Sequence, residues 1–130
     1  MILIGYVFKN ENPYNKFVDD CVIRSIATVT GLSWNEVFLE LSIEAYIAKD
    51  KLDANYVWGN WLTTHGFTKH RLPDTCPLCY SVRDFVRDHK KGLFILGDGT
   101  HAIAVVDGYY VDTFDSGDRT VLFYFEKNED

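Results

Sequence analysis

Three residues in this chain have the types and positions for thiol chemistry: Cys21, His101 and Asp112. Cys21 stands directly after Asp20, a good N-cap residue, and before a helix-compatible run with apolar residues at Val22, Ile23, Ile26 and Ala27. It therefore falls in the first turn of a predicted helix. There the unpaired backbone N–H groups and the positive end of the helix dipole favour a thiolate. Asp19 and Asp20 act against this, as negative neighbours. A cysteine so placed needs a base, and His101 supplies one at the opening of a predicted strand, Thr100 to Val106. An early Cys and a late His brought together by the fold form a candidate nucleophile and general base.

The strand of His101 runs into Asp107-Gly108 and a second strand, Tyr109 to Phe114. A two-residue Asp-Gly loop favours a type I′ turn, setting Val106 opposite Tyr109 and Ile103 opposite Asp112. His101, Ile103 and Val105 share a face by alternation, so Asp112 lies on that face, diagonal to His101. A carboxylate there orients the imidazole and stabilises its charged form. Asp115, on the opposite face of a regular strand, is the second choice. The blander reading is that Cys21 is a small buried apolar residue and His101 a structural one. The combination of helix start, strand His and same-face Asp brings the chemical reading level with the bland one.

The remaining elements follow in order. Met1 to Phe8 is apolar and β-rich, and reads as a strand; it is too short to span a membrane and lacks the features of a signal peptide. Lys9 to Phe17, with Pro13, is a loop leading into the Cys21 helix, which Gly31 ends. Ser33-Trp34-Asn35-Glu36 is a capping box that opens a second helix to about Lys49. Asp53 caps a third, from Ala54 to about Thr64, closed by Gly66. That helix carries Tyr56, Trp58 and Trp61, too widely spread for one stripe, so one of them is free to line a cleft. Ser81 opens a fourth helix to Lys91, with Val82, Phe85, Val86 and His89 on its inner stripe. Leu93 to Leu96, the His101 hairpin and Thr120 to Phe125 are strands. Helices first and an antiparallel meander last make an α+β protein.

The loop expected between Phe67 and Tyr80, with His65 just before it, holds a second chemical candidate: His65, His70 and the Cys76-Pro77-Leu78-Cys79 pair. Two His and two Cys can hold zinc. One CxxC is only half a site, however, and the His spacing is irregular, so ordinary thiols, with no metal and no cofactor, are expected. At 130 residues and 47% apolar the chain is large enough for a core without a metal or disulfide. One domain, 1–130, is expected. A net charge of −6 with no basic run argues against nucleic acid as a partner. Three cysteines and no export signal point to the cytoplasm.

The ordering of Cys at a helix start, His at a strand start and Asp on the next strand resembles the papain-like cysteine peptidase superfamily. Asp20-Cys21, with an amide six residues earlier at Asn15, is similar to the bacteriocin-leader peptidase branch. There a Gln at this spacing donates to the oxyanion; Asn15 is one methylene shorter. Asp20 to Ala27, Val82 to Gly92 and His101 to Asp115 together resemble small phage proteins of this type, over roughly residues 13 to 120. The resemblance implies a papain-like fold, with helices packed on an antiparallel sheet. It also implies a phage setting in a bacterial host's cytoplasm, and a cysteine hydrolase acting on a peptide or small amide. Acyl transfer uses the same residues. The alternative is a non-catalytic protein on the same fold that binds a host bacterial protein or a small ligand. Neither reading involves a membrane.

Overall fold

The structure is a computed structural model and describes residues 5–129. Among these residues four helices accompany a six-stranded sheet. The helices are α1 (Cys21–Thr30), α2 (Trp34–Ala48), α3 (Asn55–Thr64) and α4 (Val82–Asp88). The strands are β1 (Tyr6–Phe8), β2 (Phe67–Arg71), β3 (Leu93–Gly97), β4 (Ala102–Val106), β5 (Tyr109–Asp112) and β6 (Phe123–Lys127). Their order is β1-β5-β4-β3-β6-β2, with β1 parallel to β5 and every other neighbour antiparallel. The α+β class holds. The antiparallel C-terminal sheet does not: the sheet is mixed, and its edges are β1 from the start of the chain and β2, which precedes α4. Of the expected strand at 1–8, residues 1–4 lie outside the described residues.

Helices cover both faces. On one, α1 packs Val22, Ile23, Ile26, Ala27 and Val29 against Ala102 and Ala104 of β4, whose small side chains leave room for the helix. Helices α2 and α3 complete this layer through Val37, Leu41, Trp58, Trp61 and Leu62. On the other, Val82, Phe85 and Val86 of α4 close over Ile103, Val105 and Tyr110. The apolar stripes of α1 and α4 are thus spent on opposite faces of one strand.

Local signals explain most boundaries. Gly31 ends α1 in the left-handed region at φ 79°, its N–H bonded to the Ala27 carbonyl. Ser33 with Glu36, and Ser81 with Asp84, form complete capping boxes at α2 and α4. Asp107 (φ 47°) and Gly108 (φ 85°) both have positive φ, as a type I′ turn requires, and the register Val106–Tyr109 follows. Strand β5 stops at Asp112, short of the expected Phe114, because the Asp112 carboxylate takes the Thr113 N–H at 2.8 Å.

Other expectations are corrected. Asp53 does not cap α3, whose N-cap is Ala54 with no side-chain bond. Residues 67–71 are an edge strand rather than part of a loop; only Phe67 of the five is buried, so the segment lacks an apolar signature. The last strand starts at Phe123 rather than Thr120, because Thr120 bridges Ser81 and the Val121 N–H bonds to the Tyr80 carbonyl. Cys76 and Cys79 form a disulfide, in place of two ordinary thiols.

Candidate active site

The site is assembled from the start of α1, the approach to β4 and the end of β5. Asp20 occupies the N-cap position of α1, yet its side chain makes no cap bond. Its buried carboxylate instead accepts from Asn12 Nδ2 (3.2 Å), Trp34 Nε1 (2.9 Å) and Arg24 Nη1 (3.1 Å). Of the two acidic neighbours of Cys21, Asp20 is paired with a cation one turn on, and Asp19 lies exposed at the cleft lip.

His101 lies just before β4, outside the ladder. The N–H of His101 donates to Asp98 Oδ1 at 2.6 Å, and Asp98 is itself bonded to Thr100 and Arg119. This position matters. Ile103 and Val105 face α4, while Ala102 and Ala104 face α1. Strict alternation would send His101 to the α4 side, away from Cys21. Release from the strand at Ala102 lets the ring turn towards α1.

His101 Nε2 and Asp112 Oδ2 are 2.7 Å apart, with side chains 11% and 2% exposed. The Asp112 carboxylate also accepts from Ser116 Oγ and the Thr113 N–H, both at 2.8 Å, and has Arg24 Nη2 at 3.7 Å. Nε2 is thus committed to Asp112, leaving Nδ1 as the ring nitrogen available to Cys21, which lines the same cleft. Burial opposes the imidazolium, but hydrogen bonds and charge from Asp112 and Cys21 outweigh it and push the His101 pKa up to about 9. Asp98 is held below the usual carboxylate range: burial raises it, but the Thr100 and His101 N–H groups and Arg119 prevail.

Cys21 and His101 open onto a cleft of about 320 Å³ walled by Phe17, Val18, Thr113, Phe114 and Arg119. A smaller recess of about 80 Å³ lies on their other side, bordered by Asp53, Asn55 and Trp58. Trp58 is thus the cleft aromatic of α3, although it is only 2% exposed and also packs on Phe125. Tyr56 points to solvent and Trp61 is buried, its indole donating to Glu40.

The remaining candidates lie elsewhere. Asp115 accepts from Tyr110 Oη, Arg83 and the Gly117 N–H, on the α4 side. Asn15 is exposed, in the loop before α1 at φ 54°, and borders neither space beside Cys21. The oxyanion donor that the resemblance assigns to it is not met here. His65 stacks on Trp61 and His70 on Tyr124, and the described residues hold no group of three or more metal-binding side chains. Two members of the site were not anticipated. Ser116 lies in a turn with no motif of its own, and Arg24 is the one charged residue of α1, which was the available signal.

The site is a Cys–His–Asp array at a helix N-terminus in an α+β protein. No model of a known protein family, no curated protein and no solved structure matches the chain. Among the described residues no helix is long and apolar enough to cross a membrane.

Proposed function

We propose that the chain is a small cysteine-nucleophile hydrolase with a papain-like arrangement, acting on an amide, most simply a peptide bond. The observation that carries this reading is the His101–Asp112 hydrogen bond, with His101 and Cys21 side by side on the wall of one cleft. Cys21 Sγ attacks the carbonyl carbon while its proton resides on His101 Nδ1. The oxyanion that forms faces the start of α1, where the Cys21 N–H is one of the groups without an intrahelical partner. The C–N bond then breaks, and His101 returns the proton to the leaving amine. Water, deprotonated by His101, hydrolyses the resulting thioester. Asp112 keeps the ring oriented throughout. Asn15 has no step in this scheme. The phage setting and the bacterial host rest on the sequence resemblance alone.

The test uses p-nitrophenyl acetate as a generic acyl donor. Expected are one acetyl group on Cys21 by mass spectrometry and continued p-nitrophenol release, both abolished in Cys21→Ser and His101→Gln. Acetylation without turnover would favour the non-catalytic binding reading, and no acetylation of Cys21 would remove the nucleophile.

A further inference from the structure

Arg24 is 8% exposed, on the third residue after the nucleophile, and belongs to no step above. Its guanidinium lies between two buried carboxylates from different parts of the chain. Nη1 is 3.1 Å from Asp20 Oδ1, and Nη2 is 3.7 Å from Asp112 Oδ1. Nη1 also reaches Thr113 Oγ1 at 3.5 Å. The side chains of Asp20 and Asp112 are only 3% and 2% exposed. Two carboxylates taken out of water need compensating charge, since an unpaired buried ion costs several kcal/mol. His101 is the other cationic partner at Asp112.

We propose that Arg24 is a positioning residue: it balances the buried pair Asp20 and Asp112, and so sets the charge that Asp112 presents to His101. With Arg24 in place, Asp112 divides its negative charge between guanidinium and imidazole. Without it, the whole carboxylate charge falls on His101, and Asp20 adds to it. The other groups facing this point are Cys21 on α1, Tyr6 of β1, whose hydroxyl donates to the Asp112 carbonyl at 3.3 Å, Asp98 with its partner Arg119 beside the His101 backbone, and Asp19 at the cleft lip. Asp98 is already paired and Asp19 is exposed, so neither can take over from a buried cation. Asp112 keeps Ser116 Oγ and the Thr113 N–H when Arg24 is removed, which holds it against His101.

The inference rests on the Cys–His–Asp reading for its importance, but its test needs no substrate. The His101 ring signals are titrated by NMR in the wild type, Arg24→Gln, Arg24→Lys and Asp20→Asn. Arg24→Gln is expected to raise the His101 pKa by roughly one unit, the scale of Coulomb's law for a charge removed across one carboxylate at an effective dielectric of about 20. Arg24→Lys, which keeps the charge, should stay close to wild type. Asp20→Asn should lower the His101 pKa, because it frees Arg24 to serve Asp112. A merely structural role would move Arg24→Gln and Asp20→Asn in the same direction, or neither. Either result overturns the proposal, as does an Arg24→Lys shift equal to that of Arg24→Gln. If Arg24→Gln does not fold, Asp20→Asn decides the matter: a His101 pKa at or above the wild-type value overturns it. Should Cys21 prove inert while these shifts occur, the hydrolase reading fails and the role of Arg24 stands.

Discussion

Replacing Asp112 by Asn removes the charge that His101 leans on while keeping the size of the side chain, and the consequence can be read as a pH dependence of stability. In the folded protein the His101 pKa is raised from 6.5 to about 9. At 1.36 kcal/mol per pKa unit that rise corresponds to about 3 kcal/mol of stability, large against a typical total of about 5–15 kcal/mol. The ring is largely buried, with 11% of its side chain exposed, so solvent screening takes little of it. A group whose folded pKa is raised stabilises fully below its unfolded value and loses that contribution as pH rises through the folded value. Wild-type stability should therefore decline between about pH 6.5 and pH 9. The other resolved shifts fall outside this window: lowered carboxylates such as Asp98 and Asp115 titrate in acid, and raised tyrosines such as Tyr110, at about 12, in stronger base. In Asp112→Asn the decline should vanish, because burial then opposes the imidazolium with only Cys21 to support it. The variant is also expected to be less stable throughout, since Arg24 loses a partner and Ser116 and Thr113 lose a carboxylate acceptor. The slope, not the level, is diagnostic. Urea unfolding at pH 6, 7.5 and 9 measures it; with slopes of about 1–3 kcal/mol/M, the wild-type midpoint should fall by at least about 1 M over this range. A flat wild-type profile, or an equal decline in Asp112→Asn, would show that His101 is not held charged by Asp112.

Two further outcomes follow from the same geometry. Asp115→Asn should leave the His101 titration unchanged while costing about 1–3 kcal/mol of stability through its bonds to Tyr110, Arg83 and Gly117; a His101 shift larger than that of Asp112→Asn, by NMR, would redraw the triad around Asp115. Native protein without reductant should label with iodoacetamide at Cys21 only, Cys76 and Cys79 becoming available after reduction; native labelling at the latter pair would contradict the disulfide.

The sequence carried whatever depends on neighbours along the chain. Asp107-Gly108 needs positive φ at both positions, which specifies the turn type and with it the register that brings Asp112 level with the start of β4. Ser33 with Glu36, and Ser81 with Asp84, declare two helix starts through reciprocal bonds that span three residues. The apolar spacing of α1 and α4 identifies their buried faces. Cys21 at a helix start was legible for the same reason.

What only the tertiary structure decided is where those faces meet and which charges share a buried space. Asp20 reads as an N-cap, but burial beside Asn12, Trp34 and Arg24 offers its carboxylate three donors in place of the helix N–H groups. The Phe67–Arg71 strand is polar because it is an edge with little apolar face to bury, and its pairing to β6 across some sixty residues leaves no local trace. Alternation puts His101 and Asp112 diagonally on one face of the hairpin but, carried through strictly, turns His101 away from Cys21. Its ring reaches the nucleophile because Asp98 takes the backbone N–H and frees the residue from the ladder. That contact joins a loop to a strand end, and no periodicity in the chain encodes it.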